Sequence, residues 1–476
     1  MTRTLGKIGI TAAAAGISVA YFLIPAWYRV PPSLTLSPLY AGRFLILFPM
    51  LLALAAWGVA GFSGLRTVRR THRAALWATL LLAFALWSFF SQTWAFMGRS
   101  RPDVAETAAL QLGAAALFAL ITACGLVPVR RLAIVLVVGL LLNSVLVIGQ
   151  SIVQHDLGLR ALGEFRFSPS TEGVSILAAG ALRYVRPYGL LPHPNILAGS
   201  LIPGVFAAVA LALGDPRAAV RALATLATVL GTAALLLTFS RSAWVGAAAG
   251  GVAFVVLNYP SLRAAIGSLR MRTSGTAFPE STFPDVPPRR LLSRVLLLGM
   301  LLTLVGGVFA VRYWPYVTAR AGIGEESVEL RSIADRLVFT DFALRSIAER
   351  PAVGVGIGNF PWRSSYYLQT EFYDLQGDYV HHIYLAVTAD LGIVGLLLYV
   401  GAMLAGAAAA VGAIRNAAGG ERLIRAGMLS AAAAFAVVGL FDHYPYTILH
   451  IQVALWGCFA AALQPGPPLR GPGKPL

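Results

Sequence analysis

The sequence predicts an all-α protein that crosses a membrane about twelve times, and two observations lead to this fold class. Hydrophobic residues make up 58% of the 476 residues and charged residues only 12%, whereas a soluble protein carries about 25% charged residues. Apolar runs of about 18 residues or more recur along most of the chain. Each is long enough to cross a hydrocarbon core of roughly 30 Å as a helix. A water-soluble globule is therefore excluded.

Polar breaks divide the apolar sequence into about twelve predicted spans. They cover approximately residues 8–27, 44–62, 74–96, 104–126, 132–153, 196–213, 222–239, 243–257, 291–311, 384–414, 423–441 and 446–463. Tight connections such as Ser240-Arg241-Ser242 predict antiparallel neighbours. The first segment follows Arg3 and Lys7 with no clean small-residue cleavage site before Tyr28, so we interpret it as an uncleaved span and not as a signal peptide.

Arginine is distributed unevenly between the two sides of the predicted bundle, and the formal net charge is +17. When the spans alternate from the N-terminus, one set of loops holds most of the arginines: Arg66, Arg69, Arg70, Arg73, Arg130, Arg131, Arg217, Arg221, Arg263, Arg270, Arg272, Arg289, Arg290, Arg294, Arg415, Arg422 and Arg425. Arginine-rich short loops remain in the cytoplasm. Both termini are therefore predicted to be cytoplasmic.

Two long connections lie on the other side, at residues 154–195 and 312–383. Long loops in compact proteins are commonly functional or disordered. In the second loop Ile333, Leu337, Leu344 and Ala348 recur at helical spacing, which predicts an amphipathic helix ending at Arg350-Pro351. The predicted organisation is residues 1–311 with spans one to nine, residues 312–383 as the large loop, and residues 384–476 with the last three spans and a cytoplasmic tail. Residues 258–290 are predicted to be a flexible cytoplasmic loop.

Composition and motifs exclude several other classes. Cys124 and Cys458 both lie in apolar segments, so neither a disulfide framework nor a paired-cysteine metal site is expected. No basic soluble domain stands apart from the spans, which disfavours nucleic-acid binding. Gly354-Val-Gly-Ile-Gly358 lacks the strand–helix unit of a dinucleotide loop, and a close turn is the better interpretation.

Arginines on the noncytoplasmic side are candidate ligands for an anionic substrate, because a guanidinium stays charged and grips phosphate oxygens with two hydrogen bonds. Arg241 lies in a tight turn between two spans, where an ionisable residue is a functional candidate. The alternative is that Arg241 extends to the membrane surface near Trp244. Arginines of the long loops, among them Arg186, Arg331 and Arg336, could equally pair with neighbouring carboxylates or lipid headgroups.

Two histidines, His381 and His382, stand where the second long loop meets span ten. A neutral imidazole at this level could take a proton from a hydroxyl group, although two interfacial histidines without a catalytic role remain an alternative. Adjacent helical residues point about 100° apart, so the pair is not expected to chelate one metal ion. A site built from Glu371, Asp374, Asp378 and His381 has loose spacing, and no metal is predicted.

His193 and Asn195 precede span six in a proline-containing stretch that cannot form a regular helix. Such irregular backbone at a membrane edge suits a pocket wall or a simple corner equally well. Asp442-His443-Tyr444, between the last two spans, could help to form the site or merely anchor the interface.

Several of these stretches follow one another in a characteristic order. They are Arg186-Pro-Tyr-Gly, His193-Pro-Asn195, Thr238-Phe-Ser-Arg-Ser242, Arg336, Pro351-Ala-Val-Gly-Val-Gly-Ile-Gly-Asn-Phe360, His381-His-Ile-Tyr-Leu385 and Asp390-Leu-Gly-Ile-Val-Gly395. With these motifs the chain resembles the O-antigen ligase / O-antigen polymerase superfamily of bacterial envelope enzymes, and most closely the lipopolysaccharide O-antigen ligases. The resemblance covers about residues 180–400 and elsewhere rests on the number of spans.

The resemblance implies a GT-C type glycosyltransferase of the bacterial inner membrane with its active site facing the periplasm. The donor would be a glycan on undecaprenyl pyrophosphate, and the acceptor a sugar hydroxyl of lipid A-core. His381 matches the catalytic histidine, although His381-His382 stands where the family often has His-Asn, which leaves the choice of imidazole open. Arg241 and one of Arg331 or Arg336 match the arginines near the pyrophosphate. Neither a metal nor another cofactor is implied.

We therefore predict a metal-independent direct displacement that inverts the anomeric carbon, with His381 as the catalytic residue. The predicted substrate-binding residues are Arg186, His193, Asn195, Arg241, Arg331, Arg336 and His382. The expected partners are the lipid-linked donor, lipid A-core and membrane lipids, with no nucleic acid. A polymerase with the same donor and a protein-glycosylating relative are alternatives within the enzyme class. Outside it, a transporter of a lipid-linked or anionic solute is the alternative, although a transporter should carry charges near the bilayer midplane.

Overall fold

The computed structural model describes residues 2–27, 45–98, 100–270, 287–320, 327–370 and 377–465, and most of them are helical. The helices are α1 (Thr2–Ala26), α2 (Leu47–Val59), α3 (Leu65–Arg70), α4 (His72–Phe90), α5 (Pro102–Ala123), α6 (Val129–Val153), α7 (Pro194–Gly214), α8 (Ala218–Leu237), α9 (Arg241–Arg270), α10 (Pro288–Arg320), α11 (Ser327–Glu349), α12 (Phe360–Thr370), α13 (Ile383–Arg415), α14 (Gly419–Val438), α15 (Tyr444–Thr447) and α16 (Leu449–Ala462).

Within these ranges nine helices are long and apolar enough to cross a membrane. They are α1, α4 to α10 and α13. Three further helices, α2, α14 and α16, occupy the positions of the other three predicted spans; α2 and α16 are apolar but only 13 and 14 residues long. The prediction of a helical, multi-pass membrane protein is confirmed.

The structure differs from the predicted fold in two details. The loop at 154–195 contains an antiparallel hairpin of β1 (Ile176–Ala179) and β2 (Leu182–Val185), so the chain is not purely helical. Helix α9 continues past the predicted end at Leu257 and through Pro260 to Arg270. The predicted flexible loop 258–290 is thus helical up to Arg270, and residues 271–286 lie outside the described chain. The end of the apolar run marks where the chain leaves the membrane and need not be the end of the helix. A helix satisfies its own backbone hydrogen bonds and can therefore extend into water.

The amphipathic helix of the second long loop is present as α11, but it buries a different face from the predicted one. Leu337 and Leu344 are 66% and 53% exposed, whereas Phe339, Phe342 and Ala343 are buried. This face packs against α12 and α13. Two phenylalanines bury more apolar area than the leucines would, so they determine which face turns inward.

Helix α14 lies at the centre of the bundle, packed against α7, α9 and α16, while α13 packs against α4. Helix α10 lies at the periphery, and one side of it is an exposed apolar stripe: Leu296, Met300, Leu304 and Val308. Residues four apart share one side of a helix, so this stripe is suited to contact lipid.

Connections at one end of the bundle meet in three dimensions, and we call this end the hairpin face. It comprises residues 176–195, 238–241, 316–320, 377–383 and 439–447. The opposite end joins the arginine-rich connections. There Arg130 forms an ion pair of 2.7 Å with buried Asp215, and Arg294 donates to the carbonyl oxygen of Leu213 at 2.6 Å. The loops that the sequence assigned to two sides are therefore separated in the fold.

Candidate active site

Arg186 lies directly after β2 and is buried, with 3% of its surface exposed. Its guanidinium donates to the carbonyl oxygen of Thr238 at 2.6 Å, to Ser175 Oγ at 3.0 Å and to Asn195 Oδ1 at 2.6 Å. The side chain thus joins the hairpin, the α8–α9 turn and the start of α7. It holds the hairpin face together from within.

Asn195 extends this connection towards the C-terminal helices. While its Oδ1 accepts from Arg186, its Nδ2 donates to Asp442 Oδ2 at 3.1 Å. Asp442 is 4% exposed, and its Oδ1 accepts from the backbone N–H of His443 at 3.0 Å. Burial raises the pKa of Asp442 to about 6, against the opposing effect of the Arg336 charge. Two polar side chains therefore bridge segments that lie far apart in the sequence.

His193 is the N-cap of α7, and its Nδ1 accepts the backbone N–H of Asn195 at 3.1 Å. Pro194 occupies the first helical position, where a missing N–H has no cost. Burial, followed by the Arg186 charge, lowers the pKa of His193 to about 3. The neutral ring is therefore retained as a cap acceptor.

The α8–α9 turn positions Arg241 at the first residue of α9. Phe239 has a left-handed backbone with φ of 51°, and its ring is fully buried. Arg241 Nη1 donates to the carbonyl oxygen of Arg320 at 2.8 Å, and Arg320 Nε donates to that of Phe239 at 3.4 Å. The turn and the end of α10 therefore bring two guanidiniums together at the N-terminus of α9, where backbone N–H groups favour an anion.

His381 lies at the end of the irregular segment before α13, next to His443 of the α14–α15 connection. The two ring centroids are 5.2 Å apart at an interplanar angle of 81°. His381 Nδ1 is buried and has no hydrogen-bond partner among the described residues. Burial lowers the pKa of His381 to about 4, and His443 and Arg336 act in the same direction. A neutral imidazole with an available nitrogen can accept a proton.

His443 is fixed from two sides. Its Nδ1 lies 2.8 Å from Thr447 Oγ1, and Tyr379 stacks on its ring with centroids 5.4 Å apart. Its Nε2 lies 3.9 Å from Asp378 Oδ1. Burial and the Arg336 charge lower the pKa of His443 to about 4. Asp378, His381 and His443 form a group that could hold a metal ion, with one ligand atom from each residue and all of these within 4.8 Å of one another.

His382 faces a different environment from His381. It is the N-cap of α13, and its Nδ1 accepts the backbone N–H of Leu385 at 3.3 Å. Its ring lies beside Tyr384, with centroids 5.6 Å apart. Because this ring nitrogen is occupied by the helix, His381 has the more suitable geometry for a base.

Arg336 is the arginine of α11 whose charge reaches the site, since it contributes to the pKa of His381, His443 and Asp442. Arg331 lies one and a half turns earlier in α11, and its side chain is outside the described part of the structure. Other arginines have structural partners: Arg345 pairs with Asp341 at 2.7 Å, and Arg363 pairs with Glu349.

A buried carboxylate, Asp390, positions the segments that carry the histidines. It is fully buried and accepts the N–H groups of Gly358 at 3.1 Å and Phe360 at 2.9 Å. It also accepts the hydroxyl groups of Tyr379 at 3.0 Å and Tyr446 at 3.1 Å. Tyr379 stands two residues before His381, and Tyr446 three residues after His443. One side chain thus fixes both segments.

The glycine-rich stretch 351–360 packs against a break in α13. Gly392 has φ of 68° and ψ of −174°, which interrupts the helix. The freed carbonyl oxygens of Ala389 and Asp390 accept the N–H groups of Val355 at 2.9 Å and Gly356 at 2.8 Å. The stretch therefore forms a turn that docks on α13, in agreement with the interpretation against a dinucleotide loop.

The structure brings together His381, Arg186, His193, Asn195 and Arg241 on the hairpin face, and assigns His382 to capping. Arg336 of α11 lies close enough for its charge to act on His381. It adds residues that were absent from the predicted site: Arg320, Asp378, Asp390, Asp442 and His443. The local sequence Asp442-His443 gave a weak signal for two of them. Asp390 stood out only as part of a motif, and Arg320 was not singled out, because the roles of both arise from long-range contacts.

Fold and site together define a polytopic helical membrane protein with a polar, cation-rich site at one end of the bundle. Residues 226–400 match the family described as O-Antigen ligase. This match supports the resemblance to the O-antigen ligase superfamily that the motifs predicted. This region includes Arg241, Arg336, His381 and Asp390. No curated protein matches the chain at a significant level.

Proposed function

We propose that the chain is a GT-C type glycosyltransferase of the bacterial inner membrane, an O-antigen ligase that acts at the periplasmic face. It transfers a glycan from undecaprenyl pyrophosphate to a sugar hydroxyl of lipid A-core. One observation carries this proposal: the buried Nδ1 of His381, which has no hydrogen-bond partner in the described part of the chain, lies on the same face as Arg241 and Arg320 and within reach of the Arg336 charge. A proton acceptor beside several fixed cations suits a reaction in which a hydroxyl attacks and a diphosphate departs.

The two parts of the site have separate tasks in this mechanism. As the bond between the anomeric carbon and the phosphate oxygen breaks, negative charge grows on the pyrophosphate. Arg241 and Arg320, already held by the α8–α9 turn, stabilise that charge without reorganising during the reaction. Arg336 adds a third cation, and Arg331 of the same helix is a further candidate. Since pyrophosphate is a good leaving group neutralised by arginines, the proposed reaction is metal-independent.

His381 acts on the acceptor. Its neutral imidazole accepts the proton of the sugar hydroxyl while the oxygen forms a bond to the anomeric carbon. Direct attack inverts the configuration at that carbon. A covalent glycosyl-enzyme intermediate, or a product with retained configuration, would contradict this mechanism.

Arg186, His193 and Asn195 support the site by joining its segments in this proposal. Their side chains are engaged with one another, with the backbone and with Asp442. They position the pocket wall, and Arg241, Arg320 and Arg336 bind the diphosphate. His382 caps α13 and orients His381 by fixing where the helix begins.

The distribution of buried charge favours an enzyme over a transporter. Among the described residues, the buried charged side chains of this face, Arg186, Asp390 and Asp442, lie at helix ends or at the break in α13. A transporter of a charged solute would be expected to place such groups near the bilayer midplane.

Reconstitution of the full chain with undecaprenyl-pyrophosphate glycan and lipid A-core tests the proposal. A single glycan transferred to lipid A-core is the expected product. Longer undecaprenyl-linked chains would instead identify a polymerase with the same donor. Absence of both products, with a folded protein and intact substrates, would contradict the assignment as a transferase.

A further inference from the structure

Asp378, His381 and His443 bring three potential metal ligands together although they come from two separate segments. Their ligand atoms lie within 4.8 Å of one another. Asp378 stands at the entrance, with 55% of its side chain exposed, and the two imidazoles lie further in. A cation from solution would therefore meet the carboxylate first.

The orientation of His443 is the one found for metal-binding histidines. Such a histidine uses one ring nitrogen for the metal, while the other is fixed by a hydrogen bond to an oxygen. Here Thr447 Oγ1 lies 2.8 Å from Nδ1, which leaves Nε2 facing Asp378. Stacking on Tyr379 fixes the plane of the ring.

His381 supplies an independent observation. Its Nδ1 is buried without a hydrogen-bond partner among the described residues, and a buried polar atom without a partner is unfavourable. His193 and His382, by contrast, each use Nδ1 to cap a helix. Of these three histidines, His381 is therefore the one whose buried Nδ1 is left for another ligand.

Two imidazoles and one carboxylate select a borderline divalent cation such as Zn²⁺, which prefers four ligands at about 2.0–2.2 Å. In a tetrahedral site the ligand atoms are about 3.4 Å apart. The 3.9 Å separation of His443 Nε2 and Asp378 Oδ1 needs only a small side-chain movement to reach this value. We propose that Asp378, His381 and His443 bind one Zn²⁺-class cation that occupies the His381 imidazole and blocks glycan transfer.

Nearby charges set the strength of this site. Arg336 acts on both histidines and repels a cation, whereas the buried carboxylate of Asp442 beside His443 attracts it. The two charges act in opposite directions on the affinity of the site for a cation. Removal of the arginine charge should strengthen binding at this cluster, whereas binding elsewhere on the surface would not respond.

Binding is tested directly with CoCl₂, which gives visible absorption bands when Co²⁺ is held by nitrogen and oxygen ligands. The purified full chain is expected to show saturable bands at one Co²⁺ per chain, displaced by ZnSO₄. Asp378→Asn and His443→Gln should each weaken binding at least tenfold, and Arg336→Gln should strengthen it severalfold. His155→Gln, at an exposed histidine outside the cluster, is the matched control and should leave the titration unchanged.

Absence of saturable bands, or bands unaffected by Asp378→Asn and His443→Gln, would overturn the site. Asp378 is exposed, so its variant keeps the test valid even if the His443 variant does not fold.

The blocking of transfer rests on the proposed function and is measured separately. ZnSO₄ should inhibit wild-type transfer, EDTA should restore it, and Asp378→Asn should be at least tenfold less sensitive relative to its own uninhibited rate. If Co²⁺ binds but no glycan is transferred, the proposed function is refuted while the metal site is still supported. If Zn²⁺ fills the site that Co²⁺ reports and glycan transfer continues at its full rate, the proposed inhibition is refuted.

Discussion

Residue by residue, the hairpin face contains side chains that cap helices or join segments and side chains that are proposed to act on the substrate. His382 and His193 cap helices, and Arg186 joins three segments. His381 and Arg241 are the residues proposed to act on the substrate. This difference determines the consequence of each substitution.

His381→Ala and His382→Ala should have contrasting effects. The first should lower transfer at least 100-fold, within the range of about 10²–10⁴ for general base catalysis, with little change in thermal midpoint. The second removes an N-cap acceptor and should cost about 1 kcal/mol of stability while transfer persists. Parallel transfer assays and thermal unfolding in detergent measure both. Loss of transfer in His382→Ala but not in His381→Ala would identify His382 as the base.

Arg241→Ala should lower the transfer rate by about 10²–10³-fold, the usual cost of removing one donor to a developing anion. Arg345→Ala is the matched control, because its guanidinium is exposed and paired with Asp341. Initial rates at saturating donor distinguish the two variants. If both lose activity equally, the effect comes from the general positive charge of this face.

His193 should make stability depend on pH. Above its ordinary pKa of 6.5, the ring is neutral in both folded and unfolded chains. Between that value and the folded pKa of about 3, the unfolded chain binds a proton that the folded chain excludes, so stability falls as pH falls. His193→Asn keeps an N-cap acceptor without titrating. Its thermal midpoint should therefore decrease less between pH 7 and pH 5, and an equal decrease would contradict this role.

At the level of elements, the break in α13 at Gly392 has the clearest consequence. Its φ of 68° and ψ of −174° belong to a region that only glycine adopts readily. An added Cβ would also clash with the backbone of Ala352. The break allows residues 351–360 to dock and allows Asp390 to reach both histidine segments.

Gly392→Ala should therefore destabilise the protein by about 1–3 kcal/mol or more and impair transfer. Gly401→Ala, in the same helix, meets only Leu80 at ordinary contact distance and should be neutral or stabilising by up to about 1 kcal/mol. Thermal midpoints of the two variants in one detergent make the comparison. Similar midpoints would show that the break is not required.

The sequence predicts the helices better than their packing faces. Apolar runs identify helices at all twelve predicted positions, because a chain in hydrocarbon must satisfy its backbone internally. The buried face of α11 could not be predicted from its leucine spacing. Phe339 and Phe342 become buried because they pack against the neighbouring helices α12 and α13. The hairpin within residues 154–195 was missed because its strands have only four residues each.

For the whole molecule, the separation of the two ends leads to a test of orientation. Cys124 and Cys458 are buried and can be replaced by serine. In that background, Ser170→Cys near the hairpin should react with a membrane-impermeant maleimide in intact spheroplasts. Arg217→Cys, at the arginine-rich end, should react only after permeabilisation. Both positions are exposed, and the opposite order of labelling would invert the proposed topology.

The candidate site could be predicted from the sequence only in part. Arg241, His381 and the His193–Asn195 stretch stand out because polar residues at membrane edges are conspicuous. The roles of Arg320, Asp390 and His443 could not be predicted, since their contacts join segments from about 30 to 80 residues apart. Which of two adjacent histidines caps a helix also depends on where the helix begins.

The hydrogen bond between Asn195 and Asp442 has a consequence for biosynthesis. Spans enter the membrane from the N-terminus onwards, so the arginines of the α8–α9 turn are inserted long before Asp442 and His443 are synthesised. Under the proposed mechanism, a ribosome-bound or truncated chain ending near Arg415 would possess cationic groups for the proposed lipid diphosphate but only part of the apparatus for the proposed acceptor. Competence would be acquired late, with the final helices, so that an unfinished polypeptide could capture donor without consuming it.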